Sequence, residues 1–217
     1  MEIDVIMVPL DGSTFSRRAL PTAREVAERS GARLLLAYVH AGYPPARPGE
    51  APEPLVEADR ELVQEERRRL EAAADRVRET GLDAETLFEE GPVAETLAQR
   101  AEERADLVVM VTHGRGPFSR FWLGSVADGL ARRCSVPLLF VRPGEEEPAG
   151  PAIDRVLLPV DGSELAERIL PTATAVGRLF GAAYTVLRVV RPPFRPGLAY
   201  EDLPVQVDTD VIAEQEQ

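Results

Sequence analysis

The chain has 217 residues, 44% of them hydrophobic, and a formal net charge of −12. That suits a packed core in one large domain, or in one domain plus part of another. The acidic balance excludes a general nucleic-acid binder, because no basic excess is present to displace counterions. Every one of the 25 basic residues is arginine, which excludes a lysine-bearing P-loop and leaves any phosphate to backbone N–H groups or arginine.

The N-terminus runs straight into a strand, with no basic leader or apolar signal segment, and no apolar run approaches the length of a membrane span. A cytoplasmic location without membrane partners is the expectation. Residues Ile3 to Leu10 form a nearly continuous apolar run, as in a central strand covered on both faces. Asp11-Gly12-Ser13 ends it, and a helix follows to about Ser30, stopped by Gly31. Pro21 inside that stretch predicts a kink or a late true start. Arg33 to Val39 reads as a second buried strand. His40 to Pro54 is proline-rich and reads as an exposed loop. Leu55 to Thr80 reads as a long charged helix whose apolar stripe is Leu55, Leu62, Leu70 and Val77, stopped by Gly81.

Asp83 to Glu89 is a shorter, more polar strand, placed nearer the sheet edge. Gly91-Pro92 opens a helix with Val93, Leu97 and Ala101 on one face. A buried strand follows over Leu107 to Val111, then a glycine-bearing loop with Gly114 and Gly116, then a helix opening at Gly124-Ser125. This stretch organises the chain. A strand feeding a loop into a helix N-terminus presents free N–H groups and a favourable dipole to an anion. The single cysteine, Cys134, excludes an intrachain disulfide, points to a reducing compartment, and reads as a small packing residue. Val136 to Val141 is a fifth strand with an edge-like character. Five strands alternating with four helices predict an α/β fold, a five-stranded parallel sheet of Rossmann-like or flavodoxin-like type with helices on both faces. Ligands in such sheets bind beyond strand carboxyl ends, where the strand order reverses.

A proline- and glutamate-rich linker over 143–151 separates a complete domain, 1–142, from a partial second copy, 152–217. IMVPLDGSTFSRRALPTAREVAERSGARLLLAYV aligns without gaps to VLLPVDGSELAERILPTATAVGRLFGAAYTVLRV. Pro9 matches Pro159, Asp11 matches Asp161, Pro21 matches Pro171 and Gly31 matches Gly181, so the chain contains an internal duplication. The second copy contains no glycine loop. Two strands and a helix do not bury their own apolar faces, so a truncated tandem protein, completed by docking or strand exchange, is the expectation.

The strand-end V-P-L-D-G-S, the T-H-G-R-G-x7-G-S stretch and the order of elements resemble the universal stress protein family. Its nucleotide-binding branch carries Gly, two residues, Gly, nine residues, then Gly followed by Ser or Thr. Gly114, Arg115 to Leu123 and Gly124-Ser125 match the later part; Val111 stands where the first glycine belongs. The resemblance implies ATP, or ADP or AMP, as ligand. Asp11 would serve ribose or base, the Val39 backbone the adenine edge, and Pro9 and Met110 the base pocket. Gly114, Gly124, Ser125 and Val126 would hold the phosphates; beside that resemblance, the residues themselves offer Arg115 and Arg120 as mobile charge partners for a triphosphate. Mg2+ at the phosphates is compatible with this, although no carboxylate cluster in the loop demands it and no metal site is expected. The resemblance also implies a homodimer or higher homo-oligomer, paired through the last strand. A β-branched Val111 crowds the ligand if its side chain faces the site and matters little if it points into the sheet.

Each candidate has a plainer reading. Asp11 serves equally as an N-cap or Asx-turn residue, and Asp161 repeats it where no glycine loop exists. His113 reads as a loop residue and His40 as exposed. Arg120 reads as solvated; Phe118, Phe121 and Trp122 read as packing or interface residues, and Glu145 to Glu147 as solvated linker. No positioned general base or nucleophile is legible, so no catalytic residue is assigned. The leading expectation is a nucleotide-binding stress-response protein whose ligand reports or tunes an interaction. The alternatives are a dimerisation module without nucleotide and a slow ATPase.

Overall fold

The computed structural model describes residues 2–42, 53–112, 124–142 and 153–189. The chain forms two compact units, Met1–Ala152 and Ile153–Gln217. In the first, strands β1 (Val5–Pro9), β2 (Arg33–His40), β3 (Ala84–Glu90), β4 (Leu107–Val111) and β5 (Leu138–Val141) alternate with helices α1 (Leu20–Ser30), α2 (Glu53–Arg78), α3 (Val93–Arg104) and α4 (Ser125–Arg133). All strand pairs are parallel and the order is β3-β2-β1-β4-β5. The central strands β1 and β4 are buried at every position, which is why they read as unbroken apolar runs rather than alternating ones. The edge strand β3 is only half-buried along most of its length.

Strand alternation sorts the core into two layers. Met7, Leu35, Ala37, Val39, Val108 and Met110 pack with Leu97 and Ala101 of α3 and Ala127 and Leu130 of α4. The intervening residues face α1 and α2. Pro21 does not kink a helix. A short 3-10 turn, Ser16–Ala19, precedes α1, and Pro21 sits in its first turn, where a missing N–H is harmless. Gly31 closes α1 in the left-handed conformation at φ 77°.

One part of the sequence reading of α2 needs correction. Leu70 and Val77 are buried with Ala73 and Ala74, but Leu55 and Leu62 are 46% and 48% exposed. The helix has 26 residues, about 39 Å of length, whereas the strand it follows spans roughly 26 Å. The first half of α2 therefore extends past the sheet, which leaves Leu55 and Leu62 exposed. β5 also begins at Leu138 rather than Val136.

The second unit contains β6 (Arg155–Pro159), the short helix α5 (Glu164–Glu167), α6 (Leu170–Phe180) and β7 (Ala183–Leu187). Its parallel register pairs Arg155 with Ala183 through Pro159 with Leu187. That is the register of Val5 with Arg33 through Pro9 with Ala37 in the first unit, carried over at a constant offset. Leu158 is buried, whereas Leu157 is 58% and Val186 54% exposed. The linker and everything after Val189 lie outside the described residues.

Candidate functional site

Strand order reverses between β1 and β4. The chain leaves β1 for β2 and β3 on one side, then crosses to β4 on the other. The two strands meet only through Ile6 with Leu107 and Met7 with Val108. Asp106 fixes their N-terminal ends, accepting from the Asp4 and Val5 amides at 3.0 and 2.9 Å. Beyond Val108 the partners differ: β1 stays with β2 through Pro9 and β4 stays with β5 through Val111. The sheet splits at its carboxyl end, and a ligand-sized opening belongs at such a point.

A cavity of about 120 Å³ fills that split. Pro9, Leu10, Asp11, Phe15 and Ser16 form one wall; Met110 and Val111 form the other. Val93 and Leu97 of α3 and Gly124, Ser125, Val126 and Ala127 of α4 close the rest. Apolar groups dominate the lining, the few polar groups are hydroxyls and one carboxylate, and a helix N-terminus opens into it. This composition suits an apolar body with an anionic tail.

The Asp11 turn is built by its own side chain. The carboxylate accepts from the Ser13 amide at 2.9 Å, and the Ser13 hydroxyl accepts from the Ser16 amide at 3.0 Å. Gly12 at φ 77° supplies the left-handed step that reverses the chain. Partial burial pushes the Asp11 carboxyl up, but hydrogen bonds from Ser13 and Ser16 outweigh it and hold the group below its ordinary value. Asp161 makes the same turn, accepting from the Ser163 amide at 2.9 Å, with Gly162 at φ 86°. The plainer reading of Asp11 therefore resolves to an Asx turn. It caps no helix, since α1 starts well downstream.

Gly124 is the N-cap of α4 and no side chain caps that helix. The hydroxyl of Ser125 is exposed and hydrogen-bonded to nothing among the described residues. The first-turn amides at 125–127 thus keep donors for an outside acceptor. One carboxylate, Asp128, also lies in the first turn, engaged by Arg132 at 2.9 Å. α4 is held close to α3 at Gly129, where a Cβ would stand 2.6 Å from that of Ala94.

The structure brings Pro9, Asp11, Met110, Val111, Gly124, Ser125 and Val126 to one cavity. Val39 is buried in the core cluster beside Ala37 and Met110 and is not part of the cavity wall. Gly114, Arg115 and Gly116 lie outside the described residues, as do His113, Phe118, Arg120, Phe121 and Trp122. Val111 is 6% exposed; alternation turns its side chain to the face opposite Met110, though it still reaches the cavity edge. Phe15 and Ser16 went unnoticed in the sequence because nothing in their spacing marks a wall. The apolar face of α3 already contained Val93 and Leu97.

His40 is not exposed, contrary to the sequence reading. It is 6% exposed, with Nδ1 2.7 Å from a Glu66 carboxylate oxygen and Nε2 3.2 Å from Asp59. Glu66 also accepts from the Tyr38 hydroxyl at 2.7 Å. These carboxylates on α2 are far along the sequence, so no local pattern announced them. Burial opposes the charge on His40, yet the hydrogen bonds to Glu66 and Asp59 raise its pKa. Burial likewise pushes the Cys134 thiol up, away from a reactive thiolate. No cluster of three metal-ligating side chains occurs among the described residues, and no described helix is long and apolar enough to cross a membrane.

Comparison with known proteins finds a match to the model of the universal stress protein family over residues 2–142. A universal stress protein of Thermus aquaticus, encoded beside a sulfhydrylase gene, is 38% identical over 141 residues, covering 63% of this chain and 97% of its own. A universal stress protein of Methanocaldococcus jannaschii is 32% identical over 145 residues, covering 65% of this chain and 84% of its own. Among solved structures, a universal stress protein from Archaeoglobus fulgidus superposes with a TM-score of 0.66 at 21% identity. It covers 89% of this chain and 68% of that one, a likeness of fold.

Proposed function

The chain belongs to the universal stress protein family, and from that premise we propose that its first unit binds an adenine nucleotide as a regulatory or sensing ligand. The observation that carries this is the cavity between β1 and β4, which joins an apolar slot to the uncapped N-terminus of α4. The purine lies against Pro9, Met110 and Leu97. Asp11, ionised at neutral pH, accepts from sugar hydroxyls. The amides at 125–127 and the Ser125 hydroxyl receive the phosphates, helped by the helix dipole. By motif, Gly114 and Arg115 would complete the phosphate cradle and Mg2+ would accompany a triphosphate; the family resemblance adds the Val39 backbone at the adenine edge, although Val39 does not line the described cavity. No described residue is placed as a general base or nucleophile toward the phosphates, so ATP is a ligand before it is a substrate. The setting proposed is a cytoplasmic homodimer paired through β5, which bonds β4 alone within the sheet.

Val111 favours a second reading. Where the nucleotide-binding branch carries glycine, its side chain reaches the cavity edge, and a cavity narrowed there would leave a dimerisation module without nucleotide. Calorimetric titration of ATP and AMP into the full chain separates the two. Saturable heat that is lost in Gly124→Val supports binding. No heat, together with no adenine released on denaturing the purified protein, overturns it. Phosphate release no greater than that of Gly124→Val assigns the bound ATP to sensing rather than turnover.

A further inference from the structure

The geometry points to a second ligand site, on the opposite face of the sheet from the nucleotide cleft, built by Arg17, Arg69 and Arg76 over an apolar floor to take a small organic anion. A cavity of about 220 Å³ lies between the turn after β1 and the C-terminal half of α2. Tyr38 is one of its walls. Its neighbours Ala37 and Val39 pack toward α3 and α4, so alternation sends Tyr38 to the α2 side. The nucleotide cleft lies on the other side, with Met110 and Leu97.

The floor comes from small and apolar residues. Leu10 and the buried Leu70 and Ala73 lie beneath, and Ala72 beside Ala73 keeps the helix surface low. The Tyr38 ring is fixed, stacked on Phe88 at 5.5 Å with its hydroxyl committed to Glu66. Arg69 and Arg76 are two helical turns apart on α2 and rise on the same side of this depression; Arg17 faces them from the 3-10 turn.

The charge balance of this cavity runs against that of the chain. Aspartate and glutamate number 37, yet among the described residues none lines this cavity, while three guanidinium groups do. Arg76 has no ion-pair partner among the described residues. Among the described residues, Arg17 spends only its Nε, on the Ser13 carbonyl at 3.2 Å. Arg69 alone is paired, with Glu65 at 2.8 Å, and both are well exposed, so that bond is weak enough to exchange. Converging guanidinium groups select a planar carboxylate or a phosphate by bidentate bonding. The apolar floor adds preference for an anion carried on a ring or short chain over inorganic phosphate. The expected ligand class is a small phosphate monoester or carboxylate with such a body.

The test titrates phenyl phosphate into the full-length protein and follows backbone amide resonances, with inorganic phosphate and benzyl alcohol as probes of charge and body. Saturable binding of phenyl phosphate, weaker binding of inorganic phosphate and none of benzyl alcohol are expected, with resonances of 69–76 shifting. Arg17→Gln with Arg76→Gln should weaken binding by about tenfold, two charge-assisted bonds discounted for exposure. Arg178→Gln, in the second unit, should leave it unchanged. The targeted arginines are at least partly exposed, and the double variant is checked for an unchanged melting temperature. Absence of saturable binding, equal affinity in the double variant, or phenyl phosphate shifting the resonances of 124–127 in place of those of 69–76 would each overturn the site. Loss of AMP binding in Gly124→Val leaves this titration unaffected, so the two sites fail or stand separately.

Discussion

Asp11 and Asp161 make the same bond: each carboxylate accepts from the amide two residues on, at 2.9 Å in both units. The shared turn is structural, and Asp11 in addition lines the cavity between β1 and β4. Asp11→Ala and Asp161→Ala should both speed hydrogen exchange at the Ser13 or Ser163 amide. Only Asp11→Ala should also weaken ATP. An equal exchange effect with unchanged ATP affinity would reduce Asp11 to a turn residue.

His40 ties α2 to β2, and its charge matters to that tie. Its folded pKa lies above the ordinary 6.5, so its contribution is complete below that value and is lost as pH rises through the folded pKa. Chemical denaturation should therefore show the first unit losing stability as pH climbs above about 6.5. His40→Gln should cost roughly 1–3 kcal/mol at pH 6 and flatten the slope in this window. An unchanged slope in the variant would assign the dependence elsewhere.

Gly129 sits where a Cβ would meet that of Ala94 at 2.6 Å. Gly129→Ala gains about 1 kcal/mol of helix propensity but forces two packed helices apart, at about 1–3 kcal/mol. Neither methyl can rotate away, so the clash should win. Thermal melts should show a lower midpoint, and ATP affinity should fall with it as α4 shifts away from the cleft.

Ser125→Ala removes a free hydroxyl at the opening of the cleft and should weaken ATP about three- to tenfold with little change in stability, one hydrogen bond's worth. Val111→Gly should do the reverse. Losing a buried valine in a central strand costs about 2–4 kcal/mol, while ATP affinity should change by less than about threefold, because the side chain faces away from Met110. A large gain in affinity would show that valine narrows the site.

Leu157 and Leu158 are adjacent in β6 yet are 58% and 5% exposed. Leu158→Ala should cost about 2–5 kcal/mol and accelerate exchange across 155–187. Leu157→Ala should stay within about 0.5 kcal/mol.

Much of the fold could be read in the chain because β1, β2 and β4 are apolar throughout and the helices stop at glycines such as Gly31. Periodicity failed on α2, where it assigned Leu55 and Leu62 to a buried stripe that outruns the sheet. It also had no access to His40, whose partners Asp59 and Glu66 lie 19 and 26 residues on, in the next helix. The α4 end of the cleft is legible as Gly124-Ser125, since a helix N-terminus is a local feature. The walls at Phe15 and Ser16 were not.

Strand and helix order, the duplication and the lack of a lysine-based phosphate site are all written in the chain, because each depends on residue type and near-neighbour spacing. Tertiary structure alone decided that β1 and β4 part after Val108, and that three arginines from two elements surround one apolar hollow. Both follow from which distant segments pack together, and hydrogen-bond register and side-chain volume settle that only once the sheet is assembled.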